Sequence, residues 1–199
     1  SQGCPSCPPA DALLRRLAAD PGVIALALHV DYWDYLGWRD QFGDPRHTAR
    51  QKAYAHRAGK MSVYTPQFVI DGGYIVAGSN EAGVRRALSE AQAESPPIRV
   101  RLARTESGVR VQLTPNGAPA PGLVHVIEVT PVAHADIRRG ENAGRTLEHR
   151  NIVRDWRAIG RWDGVSDWDM TVPAHPERSV VVLVQAEGPG AILAAARLP

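Results

Sequence analysis

The hydrophobic pattern has one period in the first half of the chain and another in the second. Leu13, Leu14, Leu17 and Ala18 recur at helical spacing and predict an amphipathic helix from about Pro8 to Ala19. Pro8 and Pro9 suit its first turn, where backbone N–H groups have no helical partner. Pro21-Gly22 ends it. Residues 23–30 (VIALALHV) form a nearly unbroken apolar run, the pattern of a strand buried on both faces of a parallel sheet. After an aromatic-rich loop, Asp44-Pro45 predicts a capped second helix to about Ala58, with Gly59 as its stop. Thr65-Pro66 then opens a strand reaching Ile70. Asp71-Gly72-Gly73 predicts a hairpin turn, and residues 74–77 its second strand. Ser79 predicts the cap of a third helix whose inner face carries Val84, Leu88 and Ala91.

Ser95-Pro96-Pro97 marks a boundary, and beyond it the period becomes 2. Ile98, Val100 and Leu102 alternate with Arg99, Arg101 and Ala103, and Val109, Val111 and Leu113 repeat the pattern after a Glu-Ser-Gly turn. Further strands are predicted at 124–129, 146–156, 168–172, 180–185 and 192–198. Several short strands with little helix predict an antiparallel sandwich. The expectation is an α/β domain over residues 1–95 and an all-β, sandwich-like domain over residues 98–199.

Composition narrows the function classes. Of 199 residues, 44% are hydrophobic and 22% charged, an ordinary globular balance. A net charge of +2, from 23 basic and 21 acidic residues, gives no ground for a nucleic-acid or anionic-membrane partner. No stretch approaches the roughly 18 apolar residues of a membrane-spanning helix.

Candidate chemistry starts at Cys4 and Cys7, the two cysteines of the chain. Their Cys-Pro-Ser-Cys spacing permits one reversible disulfide, and the helix N-terminus behind it favours a thiolate. His29 and Asp31 end the apolar run on what would be the same rim as Cys4. His29 is a general base, a metal ligand or a satisfied core histidine; Asp31 and Asp34 act with it or cap loop backbone. Tyr32, Trp33, Tyr35 and Trp38 either pin a long loop or offer an apolar platform to a partner. Arg39 and Asp40 read as a surface pair, and Arg46, His47, Arg50 and Lys52 as a solvated helix face. His125, His134, His149 and His175 have no metal-ligand spacing. Arg150, Arg154 and Arg157 read as an exposed strand face.

Residues 1–95 resemble a thioredoxin fold. More closely, residues 1–11 (SQGCPSCPPAD), 29–38 (HVDYWDYLGW), 64–72 (YTPQFVIDG) and 151–157 (NIVRDWR), with the Gly188-Pro-Gly-Ala-Ile-Leu tail, resemble a bacterial secreted family catalogued as domain of unknown function 1223. The resemblance implies a thioredoxin-like unit whose first central strand precedes Cys4, a cis Thr65–Pro66 bond opposite the cysteines, and a periplasmic or secreted protein. It carries no established reaction. By analogy Cys4 is the attacking thiolate and Cys7 the resolving thiol, with Thr65, Pro66, Trp33, Tyr35 and Trp38 holding the substrate. The expected function is an exported thiol–disulfide oxidoreductase acting on a protein or small-molecule thiol or disulfide, without metal or organic cofactor. Two alternatives stay open: Cu(I) binding by Cys4, Cys7 and His29, and a non-catalytic binding protein with a structural disulfide.

Overall fold

The structure is a computed structural model that describes residues 1–93, 95–118 and 120–199. Three helices and a hairpin come first: α1 (Cys7–Ala18), α2 (Pro45–Arg57), β1 (Gln67–Ile70), β2 (Tyr74–Ala77) and α3 (Glu81–Gln92). Seven strands follow: β3 (Ile98–Thr105), β4 (Gly108–Pro115), β5 (Gly122–Asp136), β6 (Thr146–Trp162), β7 (Trp168–Val172), β8 (Ser179–Gln185) and β9 (Ile192–Leu198). The result is a mixed α/β structure with three sheets: β1-β2, β3-β4-β7 and β6-β5-β8-β9.

Local signals set most of the boundaries. Asp44 caps α2 by accepting the Arg46 N–H at 2.7 Å. At α3 the cap is Asn80, one residue past the expected Ser79, and its Oδ1 accepts the Gly83 N–H at 2.9 Å. Helix α1 begins at Cys7 itself, so the second cysteine lies inside the first turn.

The four-stranded sheet is covered on both faces. On one, Val124, Val126, Val180, Val182 and Val184 pack with Ile98, Val109, Val111 and Leu113 of the three-stranded sheet. On the other, Ile127, Val129, Val153, Val181 and Leu183 pack against Ile24, Leu26 and Leu28. Two-sided burial explains why β8 reads VVVLV without alternation.

The run 23–30 is not a hydrogen-bonded strand, contrary to the expectation from its apolar pattern. Its burial is two-sided as expected: Val23 and Ala25 join the α1/α3 cluster, while Ile24, Leu26 and Leu28 cover the sheet. Among the described residues, however, its backbone pairs with one strand, β6; otherwise Val23 N–H closes a turn onto Asp20 O and His29 O accepts the Asp44 N–H. The Ala27 N–H donates to Asn151 O and the Val153 N–H to Ala27 O, both at 2.9 Å, a single parallel bridge. Backbone polar groups of successive extended residues point to opposite sides. Those of Ile24, Leu26 and Leu28 therefore face away from β6, and they make no hydrogen bond among the described residues.

Among the described residues strand β1 is likewise bonded on one edge, to β2. Between the two unpaired edges lies a cavity of about 790 Å³. Leu17, Val84 and Leu88 form its helix side, and Val181 and Leu183 its sheet side. Ser1, Cys7, Thr65 and Pro66 border the same cavity.

Candidate functional site

Cys4 and Cys7 form a disulfide with Cα atoms 5.4 Å apart. The Cys7 N–H donates to Cys4 O at 3.3 Å, closing the turn that leads into α1. Opposite stands the Thr65–Pro66 segment, whose peptide bond is cis. Ser6 Oγ, between the cysteines, donates to Thr65 O at 3.3 Å and lies 3.6 Å from Cys4 Sγ. Gly78 allows this approach: a Cβ there would meet Pro66 Cβ and Cγ at 2.6 Å.

The disulfide is enclosed. Cys4 is 0% and Cys7 3% exposed. Trp33 packs against Gly3, where a Cβ would meet Trp33 Cβ at 2.9 Å, and its Nε1–H donates to Thr65 Oγ1 at 2.8 Å. Trp38 Nε1–H donates to Gln2 Oε1 at 2.8 Å. Two members of the aromatic group thus fasten the loop across the cysteines. Tyr32 instead reaches Gln51 on α2, and Tyr35 is 79% exposed.

Behind the disulfide is a buried polar cluster. Asp40 is buried, not on the surface beside Arg39 as its sequence neighbour suggested. Its carboxylate accepts from the Gln2 N–H at 2.7 Å, the Phe42 N–H at 2.9 Å and His29 Nδ1 at 2.7 Å. Burial works to raise the Asp40 pKa, but the His29 contact and the two backbone N–H groups hold it below the usual carboxylate range. Burial lowers the His29 pKa to about 4, opposed by the contact with Asp40. The pair at neutral pH is therefore a neutral imidazole donating to a carboxylate. Asp31 is not part of it; its Oδ1 accepts from Thr48 Oγ1 at 2.5 Å.

The β half supplies two residues to this cluster. The His149 ring lies edge-on to His29 with centroids 4.6 Å apart, and its Nδ1 is 3.5 Å from Asp11 Oδ2. Its Nε2 is buried with no hydrogen-bond partner among the described residues. Asn142 Nδ2 donates to both Gln2 O and Cys4 O at 2.9 Å. Spacing along the chain gave no signal for either residue, nor for Gln2. Asn142→Ala leaves the Gln2 carbonyl unpaired and takes one of two donors from Cys4 O. A loss of about 1–3 kcal/mol for the unsatisfied group is expected, read as a lower denaturation midpoint with the disulfide still closed.

The helix face expected to be solvated is partly inward. His47 is buried, and the Arg50 guanidinium lies 3.8 Å over the Trp156 ring. Arg46 and Lys52 are exposed. The predicted arginine face divides as well. Arg150 pairs with Glu148 and Arg157 with Asp155 and Glu128, while Arg154 lies over the Phe42 ring. Among the described residues no group of three His, Cys, Asp or Glu side chains is arranged to hold a metal ion. No helix among them is long and apolar enough to cross a membrane.

The family described as "protein of unknown function (DUF1223)" matches residues 1–185. This chain belongs to that family. A crystal structure of protein AGR_C_4864 from Agrobacterium tumefaciens is similar to this DUF1223 chain at a TM-score of 0.86 and 30% identity, covering 100% of this chain and 90% of that one. No curated protein matches it. The β-half residues of the cluster, Asn142 and His149, fall within the matched region with the Cys-Pro-Ser-Cys turn.

Proposed function

We propose that this DUF1223 protein is an exported thiol–disulfide oxidoreductase whose reacting pair is Cys4–Cys7. In the reduced form, the Cys4 thiolate attacks a substrate disulfide, and the substrate's first sulfur leaves as a thiolate. Cys7, deprotonated, then attacks Cys4 Sγ, the mixed disulfide breaks, and the second substrate thiolate leaves. The two electrons have moved to the substrate, and Cys4–Cys7 is the oxidised product. An external dithiol restores it, and the same steps run backwards oxidise a substrate dithiol.

The observation that carries this reading is the placement of the disulfide at the start of α1 against the Thr65–Pro66 segment. The magnitude of a purely structural role supports it further. A disulfide joining residues only three apart closes so short a loop that chain entropy gives about 2 kcal/mol. That is a small return for a pair set in so elaborate a polar enclosure.

The 790 Å³ cavity supports a thioredoxin-like reading of residues 1–95. Its two edges are unpaired extended backbone and its two faces are apolar, the setting of a central parallel strand. A strand alongside 23–30 would reach Ser1 and Cys7, which border the cavity. We assign to it the central strand expected before Cys4. Residues 98–199 then cover this unit and supply Asn142 and His149 to its site.

One observation favours a second reading, a non-catalytic protein with a structural disulfide: Cys4 has no exposed surface. Turnover decides between the two. Under the oxidoreductase reading, catalytic amounts of the protein accelerate reduction of a model protein disulfide by dithiothreitol, or oxidation of a dithiol peptide. A rate equal to the uncatalysed one in both directions would sink it.

A further inference from the structure

A second cavity, of about 210 Å³, lies between the first turns of α2 and the β5–β6 face; it shares His47, Arg50 and Trp156 with the larger cavity and has neither cysteine in its lining. Arg46, His47, Arg50, His125, Trp156 and Ala158 line it. No carboxylate is among them. Arg46 is answered outside the cavity by Asp44 and Asp155. Among the described residues Arg50 has no acidic partner. Its Nη2 donates to Tyr54 Oη at 2.9 Å and Gln185 Oε1 at 2.8 Å, leaving Nε–H and Nη1–H without a partner among the described residues. A largely buried guanidinium without a carboxylate is uncommon, because desolvating the charge is costly.

The two histidines show what the cavity asks for. Both are more than nine-tenths buried: His47 is 5% and His125 8% exposed. Trp156 Nε1–H donates to His125 Nδ1 at 3.0 Å, so a neutral His125 carries its hydrogen on Nε2. Burial and the Arg50 charge lower the His125 pKa to about 4, which keeps that tautomer neutral near pH 7. His47 Nδ1 lies 2.9 Å from His29 O; a carbonyl only accepts, so Nδ1 holds the hydrogen and Nε2 is an acceptor. Neither Nε2 has a partner, and neither is among the sealed orphan atoms of the interior. Both atoms therefore keep accessible surface, and both residues line this cavity.

The cavity therefore presents a cationic fork, one N–H donor and one acceptor. We propose that it binds a phosphate group that retains one hydrogen. Arg50 Nε–H and Nη1–H and His125 Nε2–H donate to its oxygens, and its P–O–H donates to His47 Nε2. A plain carboxylate matches the donors but leaves His47 unanswered, so phosphate is preferred over acetate. The site uses neither cysteine, and its test does not depend on the redox reading.

The test is titration of the folded 199-residue chain with inorganic phosphate, glycerol phosphate and acetate at constant ionic strength, following the imidazole nitrogen resonances of His47 and His125. The expected result is saturable shifts of both rings, with phosphate tighter than acetate. Glycerol phosphate saturating as inorganic phosphate does assigns the site to phosphomonoesters, and its failure to bind assigns it to the free ion. Arg50→Gln is expected to weaken binding about tenfold or more, the effect of losing a charge-assisted hydrogen bond. Because Arg50 also holds Gln185, His125→Phe serves as a second variant, removing the Nε2–H donor. Unsaturable drift in the wild-type protein, or saturable binding unchanged in both variants, would overturn the proposal.

Discussion

Cys7→Ser is expected to end turnover while leaving a protein that becomes trapped with its substrate, and Cys4→Ser is expected to abolish both turnover and trapping. The asymmetry follows from the two sulfurs' roles in exchange. The attacking sulfur forms the mixed disulfide; the second sulfur only breaks it. Without Cys7 the mixed disulfide at Cys4 persists and is visible as a covalent adduct on a non-reducing gel. Without Cys4 no adduct forms in the assigned order. Both sulfurs are enclosed in the oxidised state, so the Trp33–Thr65 and Ser6–Thr65 hydrogen bonds must part before a substrate sulfur reaches Cys4. Trapping at Cys7 in the Cys4→Ser protein, with none at Cys4, would reverse the assignment.

Asp40→Ala carries the largest expected loss of stability. Asp40 accepts three hydrogen bonds in a fully enclosed setting. Its removal leaves three buried N–H donors without an acceptor, at a cost of about 1–3 kcal/mol for each unsatisfied group. Gln2 and Phe42 lose their acceptor at the same time, so the Cys-Pro-Ser-Cys turn and the aromatic loop loosen together. The same cluster gives a pH dependence with a definite sign. His29 is lowered from 6.5 to about 4 in the folded protein, so between those values the unfolded chain binds a proton that the folded one does not. Stability therefore falls as pH falls through this window, by about 1.4 kcal/mol per pH unit for each such histidine. His125, also lowered to about 4, adds to the slope. Asp40, whose folded pKa is depressed, contributes stability above its unfolded value that is lost only at more acidic pH. Urea titrations from pH 7 to pH 4 should show the decline, and His29→Gln should flatten it in part. An unchanged acid slope in that variant would remove His29 from the account.

The legible parts of the molecule were those whose causes are local. Capping residues, prolines and turn glycines placed α1, α2, α3 and the β1–β2 hairpin to within a residue or two, whereas Thr65-Pro66 was expected opposite the cysteines from the family resemblance and not from any local signal. Asp40 was misread because Arg39 beside it suggested an exposed pair. Its burial comes from the folding-back of the 31–43 loop, where Asp34 Oδ1 accepts the Asp40 N–H at 3.0 Å. Asn142 and His149 reach the cluster across more than a hundred residues, and no spacing rule operates over that distance. The run 23–30 shows a different limit. An apolar pattern reports burial, which the structure has on both sides, but hydrogen bonding needs neighbours, and here only one edge has one. The arginine-rich face of α2 was read from charge alone, whereas Arg50 lies flat on Trp156 and uses its long apolar stem inside the structure.

On the proposed reading Cys4–Cys7 is an exchangeable pair held in a preset polar frame. Its redox equilibrium against a graded series of reduced and oxidised glutathione tests this most directly. The expected reduction potential lies between about −120 and −270 mV, the span of exchange catalysts. A potential below about −300 mV, where structural disulfides lie, would contradict it.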